Sequence, residues 1–415
     1  MRSSARVLLL VENNAYPFDV RVRREALALL SAGFRVFVIS PRGKGQPWAE
    51  NVNGVEAFRF PAPPGGSGLI GYMFEFGYAT FAMFVLSCWV AIRHGFDVIH
   101  AANPPDTLFA IGAFFKLFGK RYVYDHHDLA PETYLSRFKQ PTENAVSRVL
   151  RILERCSYAT ANVVIGTNES YREIAIQRGG KRPEKVFIVR NGPPLSFQPK
   201  APDPALAARA KHLIGYVGTM GPQDGVDYWL RAIHQMVTVL GRRDFLAVII
   251  GDGDAAPSLR ELARELDIEP YVWFTGRISD HDLKSYLSTV HVCVHPDPLN
   301  PLNDRSTMNK MMEYMAFGKA TVSFDLREAR YSAQDAAVYA KPNDELDFAQ
   351  KVCALLDNEA ERERMGKIGR ERVAKQLAWE YSVPELLRTY RDGLGLAPPH
   401  AKPGQQNQAE ADKAM

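Results

Sequence analysis

Short apolar runs typical of buried β-strands alternate with helical patterns along this chain. Regular alternation of strand and helix predicts a parallel sheet with helices on both faces. One segment, 191–204, interrupts the alternation; it contains five prolines and is typical of a connector. Because the alternation resumes after it, the sequence predicts two α/β domains. A length of 415 residues also favours two domains over one.

The predicted strands fall into two sets. In the first half they are 7–11, 35–39, 98–101, 121–124, 163–165 and 186–189. In the second half they are 212–217, 247–250, 272–274, 292–295 and 320–324. Ligands of open α/β sheets bind at the carboxyl ends of the strands, so residues that directly follow these runs are the candidates for a site.

Composition excludes several classes of function. Hydrophobic residues at 46% and charged residues at 24% are typical of a globular protein. The net charge of +4, without a dense basic block, does not indicate a nucleic-acid-binding protein. The four cysteines are scattered without metal-ligand spacing, which fits a reducing, cytoplasmic compartment. The chain also lacks a Walker loop, a Gly-x-Ser-x-Gly elbow and a Cys-x-x-Cys pair.

Two apolar segments raise the question of a membrane. The segment 69–92 is uncharged from Gly77 to Ile92 but contains Glu75, so we expect a buried or surface-docked helix rather than a span. The segment 110–122 combines aromatic and basic residues, which suits a membrane surface. A helix packed on a sheet with a solvated basic edge would give the same pattern.

The segment 306–324 is the most informative motif. Ser306 is a candidate helix N-cap, and free N–H groups at a helix start favour an anion. Lys310 adds a positive charge, and Glu313 lies about two turns beyond Ser306. A diphosphate at the helix start and a hydroxylated ring near Glu313 would describe a nucleotide sugar. An ordinary amphipathic helix with a solvated Lys and Glu remains the alternative.

Glycine-rich turns follow two strands of the second half. Gly218 and Gly221 allow a ligand to approach the backbone closely, although a tight strand-to-helix turn needs them equally. Gly251 lies in Gly-Asp-Gly-Asp, where turn chemistry is a better explanation than a metal loop.

Histidines and carboxylates follow strands of the first half. Tyr124-Asp-His-His-Asp128 favours a histidine that hydrogen-bonds a polar substrate, with a structural histidine or a metal site as alternatives. His100 ends another strand and is followed by Asn103 and Asp106. Arg21 opens the first helix, where a cation opposes the helix dipole unless an anion compensates.

Together these pieces resemble the family-4 glycosyltransferases, which have the GT-B fold of two facing Rossmann-like domains with parallel sheets and a central cleft. The resemblance runs from Val7 to about Arg391, and its order and spacing are specific. The pieces are 19–26, His127-Asp128, Asn191-Gly192, 218–225, Gly251-Asp-Gly253, Phe274-Thr-Gly276 and Asn309-Lys-x-x-Glu-Tyr-Met-Ala316 with Gly318. The stretch 218–228 resembles a subgroup among bacterial surface-polysaccharide enzymes.

The resemblance implies a domain layout. It comprises an N-terminal acceptor-side domain over 1–195, a linker over 196–208 and a donor-binding domain over 209–378. A helix over 379–396 would cross back to the first domain. The segment 397–415 is polar and rich in Pro, Gln and Ala, and this composition predicts a disordered tail.

The resemblance also implies site residues. Glu313 matches the acid that binds the ribose, Met308 and Asn309 lie near the donor phosphates or sugar, and His127 matches a histidine near the donor sugar. The remaining residues that we place at the donor are Gly218, Met220, Gly221, Gln223, Gly251, Gly276 and Arg277. On the acceptor side we place Asn14, Arg21, His100, Asn103 and Asp128.

Two departures from the family pattern matter. The first acid of the family's Glu-x7-Glu motif is replaced by Arg305. The Arg and Lys that neutralise the diphosphate in many relatives are replaced by Met220 and Gln223. We expect Lys310 and Arg305, with the helix dipole, to take over that role as catalytic cations, without a metal or other cofactor.

The predicted function is a cytoplasmic, membrane-associated, retaining glycosyltransferase of surface-polysaccharide assembly. It would use a nucleotide-diphosphate sugar, expected to be a UDP-sugar, and a lipid-linked or glycan acceptor. A nucleotide-sugar 2-epimerase of the same fold and a non-catalytic nucleotide-sugar-binding subunit are the alternatives.

Overall fold

The chain forms two compact α/β units. The computed structural model describes residues 5–62 and 68–396. The first unit takes in the described residues up to Pro131, Glu143–Val189 and the chain from Ser382. The second takes in Glu132–Thr142 and Arg190–Tyr381. The predicted linker at 196–208 therefore lies inside the second unit, and the predicted tail, 397–415, lies outside the described residues.

The first unit contains an eight-stranded sheet in the order β3-β4-β2-β1-β5-β6-β7-β8. All its neighbours are parallel except the pair β3 and β4. The strands are β1 (Arg6–Leu10), β2 (Arg35–Arg42), β3 (Ala49–Val52), β4 (Val55–Pro61), β5 (Val98–Ala102), β6 (Arg121–His126), β7 (Val163–Gly166) and β8 (Val186–Ile188).

The second unit contains a six-stranded, fully parallel sheet in the order β11-β10-β9-β12-β13-β14. The strands are β9 (His212–Val217), β10 (Phe245–Ile250), β11 (Val272–Gly276), β12 (Val292–His295), β13 (Ala320–Phe324) and β14 (Ala337–Ala340). All six residues of β10 are buried, as expected for a central strand with helices on both faces.

Helices connect the strands in both units. They are α1 (Val20–Ser31), α2 (Gly68–Arg93), α3 (Phe109–Lys116), α4 (Ala130–Arg137), α5 (Ala145–Thr160), α6 (Glu169–Gln177), α7 (Pro204–Ala207), α8 (Val226–Thr238), α9 (Ala256–Glu265), α10 (Asp280–Thr289), α11 (Asn309–Ala316), α12 (Arg327–Ala333), α13 (Glu345–Leu356), α14 (Glu359–Arg372) and α15 (Trp379–Arg388). A further helical turn, Thr389–Gly393, follows α15.

The prediction of two parallel α/β sheets is confirmed, and every predicted strand is present. Three strands were missed. β3 and β4 form a hairpin whose turn is Asn53-Gly54, the strongest short hairpin signal in a sequence. β14 is short and rich in alanine, so its composition does not distinguish it from a helix.

The helix α2 lies on the surface of the first unit. Ala79, Met83, Ser87 and Val90 recur at helical spacing and are fully buried. Its opposite face is exposed. Length and composition alone would let Met73–Arg93 cross a membrane, with a mean hydropathy of 1.5, but core helices of soluble proteins pass that test too.

Gly225 is required at the start of α8. Its φ is +69°, and a Cβ there would lie 2.1 Å from the carbonyl oxygen of Pro296. We expect Gly225→Ala to lower the free energy of unfolding in urea by about 2 kcal/mol more than Gly241→Ala. Gly241 is the matched control, because its φ is +67° and a Cβ there would meet nothing within 4 Å. Equal losses in the free energy of unfolding would show that the loop at Pro296 moves to accommodate the Cβ without destabilising the protein.

Candidate functional site

A buried ion pair lies at the carboxyl ends of the strands in the first unit. The Arg21 guanidinium donates to both carboxylate oxygens of Asp125, at 2.8 and 2.6 Å, and to the Val189 carbonyl oxygen at 3.0 Å. The side chains of Arg21 and Asp125 are 4% and 0% exposed. Burial by itself would raise the pKa of Asp125, but Arg21 outweighs it and holds that pKa well below its usual range. Arg21 therefore balances a carboxylate of the protein.

The imidazole ring of His127 contacts Asp125, the carboxylate of this pair. Its Nδ1 lies 3.3 Å from Asp125 Oδ2, and its side chain is 17% exposed. Burial lowers the pKa of His127, but the hydrogen bond to Asp125 outweighs this, so the net shift is upward. With Nδ1 occupied by a carboxylate, Nε2 is the ring nitrogen left to a ligand.

Asn103 fixes the backbone that carries His127. Its Oδ1 accepts from the main-chain N–H groups of His127 and Asp128, at 2.9 and 3.1 Å. Its Nδ2 donates to the Asp128 carbonyl oxygen at 2.7 Å and to Asp106 Oδ1 at 3.1 Å. Asn103 is 2% exposed, so its polar atoms serve the protein.

His100 is buried next to the same pair. Its Nδ1 lies 2.7 Å from the Tyr390 hydroxyl, and its Nε2 lies 3.4 Å from Glu25 Oε2. Burial, with Asp125 nearby, raises the pKa of Glu25 to about 7. Ligand atoms of Glu25, His100 and Asp125 lie within 4.8 Å of one another, close enough to hold a metal ion. Arg21 already forms ion pairs with both Glu25 and Asp125, and its positive charge compensates these carboxylates.

The residues predicted for the acceptor side differ in their exposure. Asn14 is exposed and Asp128 is half-buried, whereas Arg21, His100 and Asn103 are buried against protein groups. Their contact with an acceptor stays a prediction, and the buried three have internal partners that sequence reasoning did not identify.

In the second unit, α11 begins later than predicted. Ser306 as the N-cap is wrong, because the helix starts at Asn309 with Met308 as the capping residue. The Ser306 hydroxyl instead donates to the Leu302 carbonyl oxygen at 2.9 Å. The side chain of Met308 makes no capping hydrogen bond. Glu313 is consequently about one turn into the helix rather than two.

Lys310 forms an ion pair with a buried carboxylate. Its ammonium lies 2.7 Å from Asp297 Oδ1 and 4.9 Å from the ring centre of Tyr216, and its side chain is 9% exposed. Burial would raise the pKa of Asp297, but Lys310 outweighs it and lowers that pKa to about 2. Lys310 thus compensates an internal charge, and its catalytic role stays a prediction.

The glycine turns of the second unit meet at adjacent strand ends. The N–H of Gly218 donates to the Ile250 carbonyl oxygen at 3.0 Å, and that of Gly251 donates to the Gly276 carbonyl oxygen at 3.1 Å. A Cβ on Gly251 would lie 2.0 Å from the carbonyl oxygen of Gly218. Only glycine fits there, so the carboxyl ends of β9, β10 and β11 form one closely packed backbone edge.

The helix α11 is joined to the same edge. The Tyr314 hydroxyl accepts from the Val217 N–H at 2.8 Å, at the end of β9. Because Glu313 precedes Tyr314, this contact fixes the segment that carries the predicted ribose-binding acid.

The remaining predicted donor residues differ in exposure. Met220 is fully buried in the core. Its N–H donates to the Asp252 carbonyl oxygen and its carbonyl oxygen accepts from the Ala255 N–H, so its contact with the donor stays a prediction. Gly221 donates to the Asp224 carboxylate at 2.8 Å, and Gln223 is half-buried. Asn309 and Arg277 are exposed, whereas Met308 and Glu313 are half-buried.

Arg305 keeps more exposed surface than Lys310. Its side chain is 43% exposed, with Nη1 3.9 Å from Glu132 Oε1. Of the carboxylates that pair with Arg21 and Lys310, Asp297 was missed, and Asp125 was noted only as part of the Tyr124–Asp128 motif. Each stands within two residues of a predicted strand end, which is the signal that could have found them.

Comparison with known proteins gives matches in both halves of the chain. The family model described as "Glycosyl transferase 4-like domain" matches residues 19–192, and that described as "Glycosyl transferases group 1" matches residues 211–358. The chain is 25% identical over 298 residues to the alpha-maltose-1-phosphate synthase of Mycobacterium tuberculosis, covering 65% of this chain and 72% of that protein. It is 27% identical over 292 residues to the D-inositol 3-phosphate glycosyltransferase of Thermomonospora curvata, covering 66% of each.

A solved structure shares the fold. Sucrose-phosphate synthase from Thermosynechococcus elongatus superposes with a TM-score of 0.75 at 17% identity, covering 94% of this chain and 99% of that one. At this identity the likeness shows the fold alone, which is that of two α/β domains with parallel sheets.

The pairing of Lys310 with Asp297 predicts a large effect on stability. We expect Lys310→Met to lower the free energy of unfolding by about 3–5 kcal/mol, because it leaves Asp297 charged and buried without its cation. Adding Asp297→Asn to the same chain should recover part of that loss. Urea denaturation checks both variants, and a double variant no more stable than Lys310→Met would contradict the pairing.

Proposed function

We propose a specific reaction for this chain, which belongs to the family-4 glycosyltransferases of GT-B fold and is a hexosyltransferase-type enzyme. It transfers a sugar from a nucleotide-diphosphate sugar to a lipid-linked or glycan acceptor, with retention at the anomeric carbon. The observation that supports the donor site is the backbone edge of β9, β10 and β11 joined to α11. A ligand can approach this edge closely because glycines form it.

The donor diphosphate is proposed to bind at the start of α11. The first N–H groups of a helix have no partner four residues back within it. Here the capping residue Met308 offers them no side-chain hydrogen bond, although the Met311 N–H donates to the Met308 carbonyl oxygen at 3.2 Å. The helix dipole favours an anion at this end. Glu313, one turn further, is proposed to hydrogen-bond the ribose. The choice of UDP rests on the family resemblance.

Arg305 is proposed as the cation that offsets the diphosphate. Charge develops on the leaving diphosphate in the transition state, so a nearby fixed cation lowers the barrier. Arg305 is 43% exposed and lies 3.9 Å from Glu132, whereas Lys310 is 9% exposed and lies 2.7 Å from Asp297. The greater exposure of Arg305 supports its choice for this role. Lys310 then acts by holding α11 in place. No metal is needed in this proposal.

Retention requires the new bond to form on the face from which the diphosphate leaves. The bond between the anomeric carbon and the diphosphate oxygen breaks, the acceptor hydroxyl oxygen bonds to that carbon, and its proton passes to the leaving phosphate. The proposal of retention rests on the family resemblance. His127, held by Asp125, is proposed to donate a hydrogen bond to the donor sugar through Nε2.

The proposed acceptor is lipid-linked because the first unit exposes apolar side chains. On α2, Phe81, Val85 and Ile92 are 67%, 48% and 84% exposed. Next to α3, Leu117 and Phe118 are 81% and 63% exposed. We propose that these residues rest on the inner face of the cell membrane, in a cytoplasmic enzyme of surface-polysaccharide synthesis. Flotation with anionic vesicles tests the contact, and a protein that stays in the soluble fraction contradicts it.

The reaction is tested by supplying UDP- and GDP-sugars with and without extracted bacterial lipids. We expect release of nucleoside diphosphate to depend on the lipid, and NMR of the product to show the donor's anomeric configuration. An inverted product contradicts retention. Interconversion of nucleotide sugars without an acceptor would identify a 2-epimerase. Binding without turnover would identify a non-catalytic subunit.

The roles of Glu313 and Arg305 predict different kinetic effects. We expect Glu313→Gln to raise the KM for the nucleotide sugar about tenfold to a hundredfold, because it weakens a charge-assisted hydrogen bond to a hydroxyl. Arg305→Gln should lower kcat about a hundredfold, because its charge acts in the transition state.

Matched controls are available for both variants. Glu265→Gln removes an exposed acid from α9, and Arg364→Gln removes an arginine whose side chain is 52% exposed. Neither control should change kcat or KM. Wild-type kinetics in Arg305→Gln would show that this arginine does not act on the diphosphate.

A further inference from the structure

A pocket lined by cations lies at the amino ends of three strands in the first unit. Its volume is about 410 Å³. Arg121 begins β6, Asn162 precedes β7, and Lys181, Arg182 and Lys185 precede β8. Gly393, after α15, completes the wall. Four positive side chains therefore converge on one cavity.

This pocket is separate from the candidate site at the carboxyl ends. The strand β6 runs for six residues from Arg121 to His126, and His127 follows it directly. At about 3.3 Å per residue, the two ends of β6 are roughly 17–20 Å apart. No residue proposed for the transfer reaction lines the pocket, so the two proposals stand independently.

The lysines at this edge lack carboxylate partners. Three ammonium groups each donate to a main-chain carbonyl oxygen: Lys116 to Thr160, Lys181 to Ala161, and Lys185 to Gly393. Within residues 5–62 and 68–396, none of the three forms an ion pair. An ammonium carries three N–H donors, so each lysine retains two for a ligand.

Arg121 provides a second, independent indication of a ligand. Its Nη1 is buried and has no hydrogen-bond partner among the described residues. A buried donor without a partner is costly, and Arg121 is one of the residues that line the pocket. Among the residues that the structure describes, Arg182 forms an ion pair with Glu184 alone, at 3.3 Å, and both side chains are more than 60% exposed.

The cations repel one another. Burial, followed by the charges of Lys116, Arg182 and Lys185, lowers the pKa of Lys181 to about 8. An anion in the pocket would offset this repulsion.

We propose that this pocket binds a phosphate group, carried by a phosphorylated small molecule or by a lipid headgroup. Arginine and lysine together are the side chains that proteins use for phosphate. A nucleobase is not favoured, because none of the described residues that line the pocket is aromatic. Leu117 and Phe118, which follow Lys116 and are exposed, are suited to the acyl chains of a headgroup-bearing lipid.

The first arm of the test uses inorganic phosphate and the full-length protein. We expect phosphate to bind by calorimetry at constant ionic strength. The variant Lys181→Gln/Lys185→Gln should weaken that binding about tenfold or more. Lys341→Gln/Lys375→Gln removes the same charge from lysines that are 76% and 69% exposed, and it should bind like the wild type.

The second arm uses flotation with vesicles of phosphatidylcholine alone or with phosphatidylglycerol. Binding that requires phosphatidylglycerol and is lost in Lys181→Gln/Lys185→Gln identifies a lipid headgroup. Loss of phosphate binding alone identifies a soluble phosphorylated ligand. The charge-preserving variant Lys181→Arg/Lys185→Arg should bind in the arm that is positive, which separates loss of charge from loss of folding. The proposal is overturned if Lys181→Gln/Lys185→Gln matches the wild type in both arms, or if the wild type binds in neither.

Discussion

The pair between Arg21 and Asp125 organises the functional edge of the first unit. It joins α1 to the end of β6, and through Val189 to the segment after β8. An ion pair this deeply buried contributes little net stability by itself, but losing one partner leaves a charge without compensation. The orientation of His127 depends on it, because Asp125 accepts from that ring.

The second unit repeats the arrangement with different residues. Lys310 of α11 pairs with Asp297 beyond the end of β12, and the Tyr216 ring lies over the ammonium. In both units, a cation from a helix neutralises an aspartate at or just beyond the carboxyl end of a strand. The buried charge fixes the helix against the strand ends, and the loops near it can then present backbone groups and half-buried side chains to a ligand.

The two edges of the first sheet have different electrostatics. At the carboxyl ends, Arg21, Glu25 and Asp125 are paired and buried. At the amino ends, three lysines each donate one hydrogen bond to a carbonyl oxygen, and positive charge remains. Parallel strands separate these edges by the length of β6, so one domain can hold two polar sites that do not share residues.

Local periodicity and backbone freedom can be recognised in the amino-acid sequence. They were therefore enough to predict the alternation of strands and helices, the two sheets, and the glycine turns at strand ends. The sequence also placed Glu313 and His127 next to strand-end or helix-start signals. Which polar residues pair with other groups of the protein is set by the tertiary structure. Arg21, Asn103, His100 and Lys310 look like ligand-binding residues in a sequence, yet each is paired with a group from another element. Asp125 and Asp297 are those groups in two cases, and pairing over more than ten positions leaves no local pattern to read. The start of α11 was misplaced for a similar reason, because the Ser306 hydroxyl bonds backward to Leu302 rather than forward into the helix.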